Sequence, residues 1–89
     1  MPKVIIPPPY QGPTAGVGDV LVEGTTVREC LAAVDTKFPG FEAQLFDGDG
    51  RLHKFVKVFR NGELVGRDAL ENAVDPGDRV EVLAAIAGG

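Results

Sequence analysis

The sequence is poor in the residues that usually build metal and redox sites. It has no tryptophan, one cysteine and one histidine among 89 residues. A single cysteine, Cys30, cannot form an internal disulfide, and Cys30 with His53 falls short of a structural zinc site or an iron–sulfur cluster. We therefore expect no bound metal and no bound cofactor. Cys30 is predicted to be a buried, inert thiol beside a helical apolar face, and His53 a solvated surface residue.

Long apolar runs and an excess of basic residues are also missing. No stretch approaches the roughly 18 apolar residues of a membrane span, and the run near the N-terminus is too short for a signal peptide. The net charge is -4, which disfavours both nucleic acid and anionic membranes as partners. We expect no nucleic-acid or membrane partner and a cytoplasmic location. Net charge alone would steer an acidic chain toward a basic partner enzyme.

One amphipathic helix is clearly encoded. Apolar residues recur on one helical face, at spacings of 4, 3 and 4: Val27, Leu31, Val34 and Phe38. Thr26 is a suitable N-cap, and Glu29 three residues later completes a capping-box pattern. Pro39 ends the helix at or before Phe38. The pattern predicts a helix over residues 27–37.

Short β-branched runs between turn residues predict five strands. They cover residues 3–6, 17–22, 54–60, 63–65 and 80–83. Asn61 and Gly62 predict a tight hairpin, and residues 41–46 and 68–73 are predicted to form helical turns. One helix across a mixed sheet buries all apolar faces, with the first and last strands parallel in the centre. We predict an α+β, β-grasp domain over residues 1–87, followed by a flexible tail at residues 88–89.

No internal catalytic constellation stands out, which leaves the C-terminal glycines. Asp47 and Asp49 resemble part of a calcium loop, but the distal glutamate is missing and a turn is predicted instead. Gly88 and Gly89 lack a Cβ, so they could thread a narrow enzyme channel and leave the terminal carboxylate unhindered. The alternative is that two terminal glycines are a frayed end or a cloning remnant.

Three segments together resemble the ubiquitin-like sulfur carriers of the MoaD/ThiS/CysO type, and the CysO-like carriers most. They are the hairpin LHKFVKVFRNGE at residues 52–63, the turn DPGDRV at 75–80 and the ending AAIAGG at 84–89. The resemblance implies a carrier rather than an enzyme. By this resemblance, an E1-like adenylyltransferase uses ATP to activate the carboxylate of Gly89, and Gly88 leaves room for the chain end in the active site of that enzyme.

The resemblance also implies the later steps. A sulfurtransferase or other sulfur donor converts the activated end to a thiocarboxylate, which a sulfur-accepting synthase uses in cysteine or secondary-metabolite biosynthesis. Two alternatives remain open from the sequence. One is the small subunit of molybdopterin synthase, and the other is a β-grasp module that binds its partner without tail chemistry.

Strand alternation predicts where a partner docks. If the valines at alternate positions of the 54–60 and 80–83 strands face the helix, the residues between them face the other way. An exposed apolar cluster on an open sheet often marks a binding site. The predicted partner-binding residues are Phe55, Phe59, Leu83 and Ile86. The alternative is that residues 40–53 or a second copy of the chain cover them.

Overall fold

The computed structural model describes residues 1–85 of the chain. Its elements are β1 (Lys3–Ile5), β2 (Asp19–Leu21), α1 (Val27–Lys37), α2 (Phe41–Leu45), β3 (Val56–Arg60), β4 (Glu63–Val65) and β5 (Arg79–Ala84). A short 3-10 turn, Pro8–Tyr10, follows β1. The predicted domain end at residue 87 and the tail at 88–89 lie outside the described residues.

The five strands form one mixed sheet in the order β2-β1-β5-β3-β4. The chain's first and last strands, β1 and β5, pair in parallel at its centre, whereas the other neighbours are antiparallel. Parallel neighbours need a long crossover, and α1 lies within the connection that supplies it. The predicted α+β, β-grasp architecture is therefore confirmed.

Helix α1 has the predicted bounds and a modified capping box. The Thr26 hydroxyl oxygen accepts a hydrogen bond from the Glu29 amide at 3.1 Å. The Glu29 carboxylate, however, accepts from both the amide and the hydroxyl of Thr25, each at 2.8 Å, one residue before the N-cap. These bonds favour the ionised acid and lower the pKa of Glu29. The helix start is thus fixed by two residues rather than one.

The apolar face of α1 and the inner face of the sheet share one core. The fully buried members include Val27, Leu31, Val34, Val58, Val80 and Val82. Phe41 and Leu45 of α2, with Leu52, are also buried in this cluster. Segment 40–53 therefore packs on the helix side of the sheet, because its large side chains belong to the core there. It does not cover the outer face of the sheet, as one alternative proposed.

The prediction of a helical turn at residues 68–73 is wrong. The segment forms two successive turns, in which Ala69 and Asn72 donate to the carbonyls three residues before them. The carbonyls of Leu70 and Asn72 instead accept from the first two amides of α1. Helix N-termini leave such amides without intrahelical partners, so this segment caps α1 rather than forming a helix of its own.

Replacing Leu31 by alanine should lower the free energy of unfolding by about 2–5 kcal/mol, because the side chain is fully buried against the sheet. The matched control is Leu64→Ala, since Leu64 is 62% exposed and should change stability by about 0.5 kcal/mol or less. Chemical denaturation of both variants measures the difference. Equal losses in the two variants would contradict the proposed core.

Candidate functional site

The last strand carries the chain end directly out of the sheet. β5 is hydrogen-bonded on both sides, to β1 and to β3. The pairing continues one residue past the strand, where the amide of Ala85 donates to the carbonyl of Phe55 at 2.7 Å. Three of the predicted site residues, Ile86, Gly88 and Gly89, lie outside the described residues. The structure thus describes the last strand up to Ala85, from which the chain continues to Gly89.

The outer face of the sheet next to the end of β5 is apolar at its centre. Val56, Val58, Val80 and Val82 are buried as predicted, so the residues between them point away from α1. In the strand register Phe59 lies between Glu81 of β5 and Leu64 of β4. We call Phe55, Phe59, Leu64 and Leu83 the outer apolar patch.

The members of this patch differ in exposure. Leu64 is 62% exposed and Leu83 is 38% exposed, whereas Phe59 is half-buried between its cross-strand neighbours. Within the described chain nothing covers the patch completely. The patch is partly exposed, and one of its members, Leu83, lies on β5, the strand that leads to the chain end.

Phe55 was predicted inside a strand beginning at residue 54, and that boundary is wrong. The amide of Val56 donates to the carbonyl of His53 at 2.9 Å, which closes a turn and delays β3 until Val56. Phe55 is 43% exposed in this turn, and the Lys54 ammonium lies 5.2 Å from its ring centroid. Phe55 is therefore the member of the patch nearest to Ala85, whose amide its carbonyl binds.

Leu64 is the residue that sequence reasoning missed. Its strand, β4, has only three residues, too few to display alternation by themselves. The strand register supplies what the sequence does not show, since Val65 is buried opposite Val58. Alternation from Val65 then places Leu64 on the outer face, opposite Phe59.

The start of β5 is held by an acidic side chain. Asp78 is nine-tenths buried and accepts hydrogen bonds from the Asp75 amide at 2.8 Å, the Asn61 side-chain amide at 2.8 Å and Arg60 Nε at 2.7 Å. These donors, the Asp75 amide first, lower the pKa of Asp78 to about 2. Arg79 exchanges two bonds with Asn61, each at 2.9 Å. The hairpin tip is thus fastened to β5.

The other candidate reactive groups are buried, exposed to solvent or part of a turn. Cys30 is fully buried, and burial raises the pKa of its thiol, whereas His53 is exposed. Asp47 caps a turn by accepting from the amides of Asp49 and Arg51 at 2.9 and 3.1 Å. Across residues 1–85, no three acidic, histidine or cysteine side chains gather as a metal site. No helix in that range is long and apolar enough to cross a membrane.

Comparison with known proteins decides the family. The model of the ThiS family matches residues 13–89. The chain belongs to the ThiS family. This match covers most of the chain and includes the two terminal glycines. Together with the β-grasp sheet it confirms the resemblance noted in the sequence.

Individual relatives narrow the type of ThiS-family protein. The chain is similar to the sulfur carrier protein CysO of Mycobacterium tuberculosis, at 33% identity over 97% of this chain and 96% of the relative. It is also similar to small archaeal modifier protein 3 of Haloferax volcanii, at 34% identity over 75% and 73% of the two chains. This member of the ThiS family is a ubiquitin-like sulfur carrier of the CysO/ThiS type.

Solved structures give the same result for the fold. The chain superimposes on a chain of the Amycolatopsis orientalis BexX/CysO complex with a TM-score of 0.88, at 35% identity and complete coverage of both chains. Mycobacterium tuberculosis CysO also gives a TM-score of 0.88, at 29% identity, over 97% of this chain and 100% of that one. The ThiS-family fold extends through the whole sheet, including the strand that leads to the chain end.

Acid should weaken the fastening of β5 at Asp78. The pKa of Asp78 in the folded protein is lowered to about 2, below its usual value near 3.9 when unfolded. Its stabilising effect is therefore complete above about pH 4 and is lost as the pH falls toward about 2. Asp78→Asn should lower stability at neutral pH and reduce the loss over this acidic range.

Denaturation curves taken at stepped pH values measure this effect. The matched control is Asp68→Asn, which removes an exposed carboxylate and so reports the general effect of one fewer negative charge. The difference between wild type and Asp78→Asn should shrink toward about pH 2, where Asp78 itself becomes protonated. A difference that stays constant over the acidic range would contradict the assigned role.

Proposed function

We propose that this chain carries sulfur as a thiocarboxylate on Gly89. The observation that carries the proposal is the extent of the ThiS-family match, which continues through residue 89 and so includes both terminal glycines. The structure adds a supporting feature, since β5 is paired on both sides and is held up to Ala85. A fixed strand followed by four residues is suited to present a chain end to another protein.

The proposed chemistry begins with activation. A carboxylate is a poor electrophile, so an E1-like adenylyltransferase joins an oxygen of the Gly89 carboxylate to the α-phosphorus of ATP and releases pyrophosphate. Sulfur at the oxidation level of sulfide, supplied by a sulfurtransferase or other donor, then attacks the acyl carbon and AMP leaves. ATP is a substrate of the partner, and this chain binds no cofactor of its own. Gly88 keeps the approach free of side chains.

The thiocarboxylate then serves a sulfur-accepting synthase. Its sulfur forms the new bond to an activated acceptor as the leaving group of the acceptor departs, and hydrolysis of the acyl–sulfur bond returns the Gly89 carboxylate. We assign the chain to sulfur supply for cysteine or secondary-metabolite biosynthesis in the cytoplasm, where ATP is available. Support comes from the relatives, one named a sulfur carrier protein and another crystallised in a BexX/CysO complex.

The outer apolar patch is proposed as the docking surface for the activating enzyme. It combines Phe55, Phe59 and Leu83 with Leu64, and Ile86 is the predicted extension beyond the described residues. Exposed apolar side chains clustered on one face are costly to leave in water and often mark interfaces. Leu83 is only six residues before Gly89 in the chain. Docking here would therefore bring the chain end to the partner's active site.

Removal of Gly89 should abolish adenylation and thiocarboxylate formation without unfolding the domain, because chain ends contribute little to the core. Intact-mass spectrometry should show wild type heavier by the difference between one sulfur and one oxygen atom, with the change on Gly89. The matched control appends one glycine after Gly89, which moves the carboxylate by one residue without adding a side chain to the tail. Sulfur transfer by the truncated chain would rule out the tail mechanism.

Phe59→Ser should reduce kcat/KM for adenylation of the carrier by about tenfold or more, because a central aromatic contact is lost. Leu21→Ser is the matched control: Leu21 is 52% exposed and lies on the same face but on β2, at the opposite edge of the sheet from β4. It should leave adenylation unchanged. Thermal melts must show both variants folded at the assay temperature. Normal activity of the folded fraction of Phe59→Ser would place Phe59 outside the docking surface.

A further inference from the structure

The charge on the outer face of the sheet is opposite to the charge of the whole chain. The chain has a net charge of -4. The outward positions of β1, β2, β3 and β5 carry three basic and two acidic side chains, Lys3, Lys57, Arg79, Asp19 and Glu81. Lys54, in the turn before β3, adds a fourth cation beside this face. The negative excess therefore lies on the rest of the molecule.

Two of these cations border the apolar residues nearest the chain end. Lys57 is the register partner of Leu83. The Lys54 ammonium lies 5.2 Å from the ring centroid of Phe55, whose carbonyl holds the amide of Ala85. Positive charge thus flanks the outer apolar patch at the place where β5 ends.

These two lysines lack acidic partners within residues 1–85. The ion pairs in that range involve Arg28 with Glu71 and Arg60 with Asp75 and Asp78. Residues 50–62 include neither aspartate nor glutamate, so β3 and the turn before it supply no internal counter-charge. At the far end of the face, Lys3 and Arg79 are register partners of like charge. An anionic partner surface would supply counter-charge to the two unpaired lysines and reduce the repulsion between Lys3 and Arg79.

We propose that the activating enzyme meets this face with acidic side chains placed around an apolar centre. The inference rests on the proposed docking function and specifies the chemistry of the partner. Covering the patch removes water from the two lysines, and a desolvated charge without a counter-charge is costly. Acidic groups on the partner supply that counter-charge, and they also orient the encounter. This reverses the expectation of a basic partner that the net charge suggested.

Charge reversal on the face tests the proposal. Lys57→Glu should lower kcat/KM for adenylation by about tenfold at low ionic strength, and Lys54→Glu should act in the same direction. Glu81→Gln removes a negative charge between Ile5 and Phe59 and should raise kcat/KM. The matched control for net charge is Lys37→Glu, in the last turn of α1, which should change kcat/KM less than twofold.

The salt dependence gives a second readout from the same assay. Added salt should lower kcat/KM of wild type more than that of Lys57→Glu, because screening removes an attraction that the variant has already lost. Higher activity of Lys57→Glu, or equal losses in Lys57→Glu and Lys37→Glu, would overturn the proposal. Thermal melts of each variant separate unfolding from lost docking.

A binding measurement without enzyme separates this inference from the proposed function. The probe is a synthetic peptide of phenylalanine and leucine flanked by aspartates, titrated into the full ¹⁵N-labelled chain. Amide shifts should concentrate at Phe59, Leu64 and Leu83. The same peptide with lysines in place of aspartates should not shift them. If the lysine peptide selects this face, the inference is overturned even where adenylation succeeds. If wild type is not adenylated, the proposed function fails and the peptide result decides the inference.

Discussion

The parallel pairing of β1 with β5 is the constraint on which the rest of the structure depends. It joins the two ends of the described chain at the centre of the sheet, so everything between them must return across one face. Helix α1 lies in that return, and its apolar stripe covers the inner valines. With one face used for the core, the opposite face stays open to solvent. The open face and the outgoing end of β5 are therefore consequences of the same topology.

The two ends of β5 are held by different kinds of interaction. At its start, the Asp78 carboxylate accepts hydrogen bonds from Asp75, Arg60 and Asn61. Hydrogen bonds to an ionised group are strong and directional. At its far end the contacts are backbone pairing to Phe55 and apolar side chains on the outer face. The ion pairs that hold β5 thus lie at its start, where Asp78 precedes the strand. Among residues 1–85, no ion pair lies at the opposite end of β5, from which the chain continues to Gly89. That division leaves the exit available to a partner.

Sequence predicted what depends on local pattern. The bounds of α1 followed from an apolar stripe, the Thr26 cap and the Pro39 stop, and the hairpin followed from Asn61 and Gly62, which both adopt positive φ. The failure at residues 68–73 has a tertiary cause, because carbonyls there bond to the amides that begin α1. The sequence of residues 68–73 by itself does not show that their carbonyls bind the amides of another segment. The first amides of α1 have no intrahelical partners, and the carbonyls of this segment accept their hydrogen bonds.

The candidate site divides in the same way. Chain order was enough to single out Gly89 and the alternating residues Phe59 and Leu83. Leu64 needed the pairing of β4 with β3, since a three-residue strand shows no period of its own. The charge of the outer face needed more, because its cations come from three strands and a turn. Only the register shows that they share a face, which is why net charge alone predicts a different kind of partner from the one proposed here.

Those cations also bear on whether a second copy of the chain covers the outer apolar patch. Two copies joined face to face would bring Lys54 and Lys57 of each protomer toward a surface that is itself positively charged. Like charges brought together in an interface disfavour association. The patch can therefore remain exposed without strong self-association. The same side chains that oppose a second copy would also suit the proposed partner, whose acidic groups they would meet.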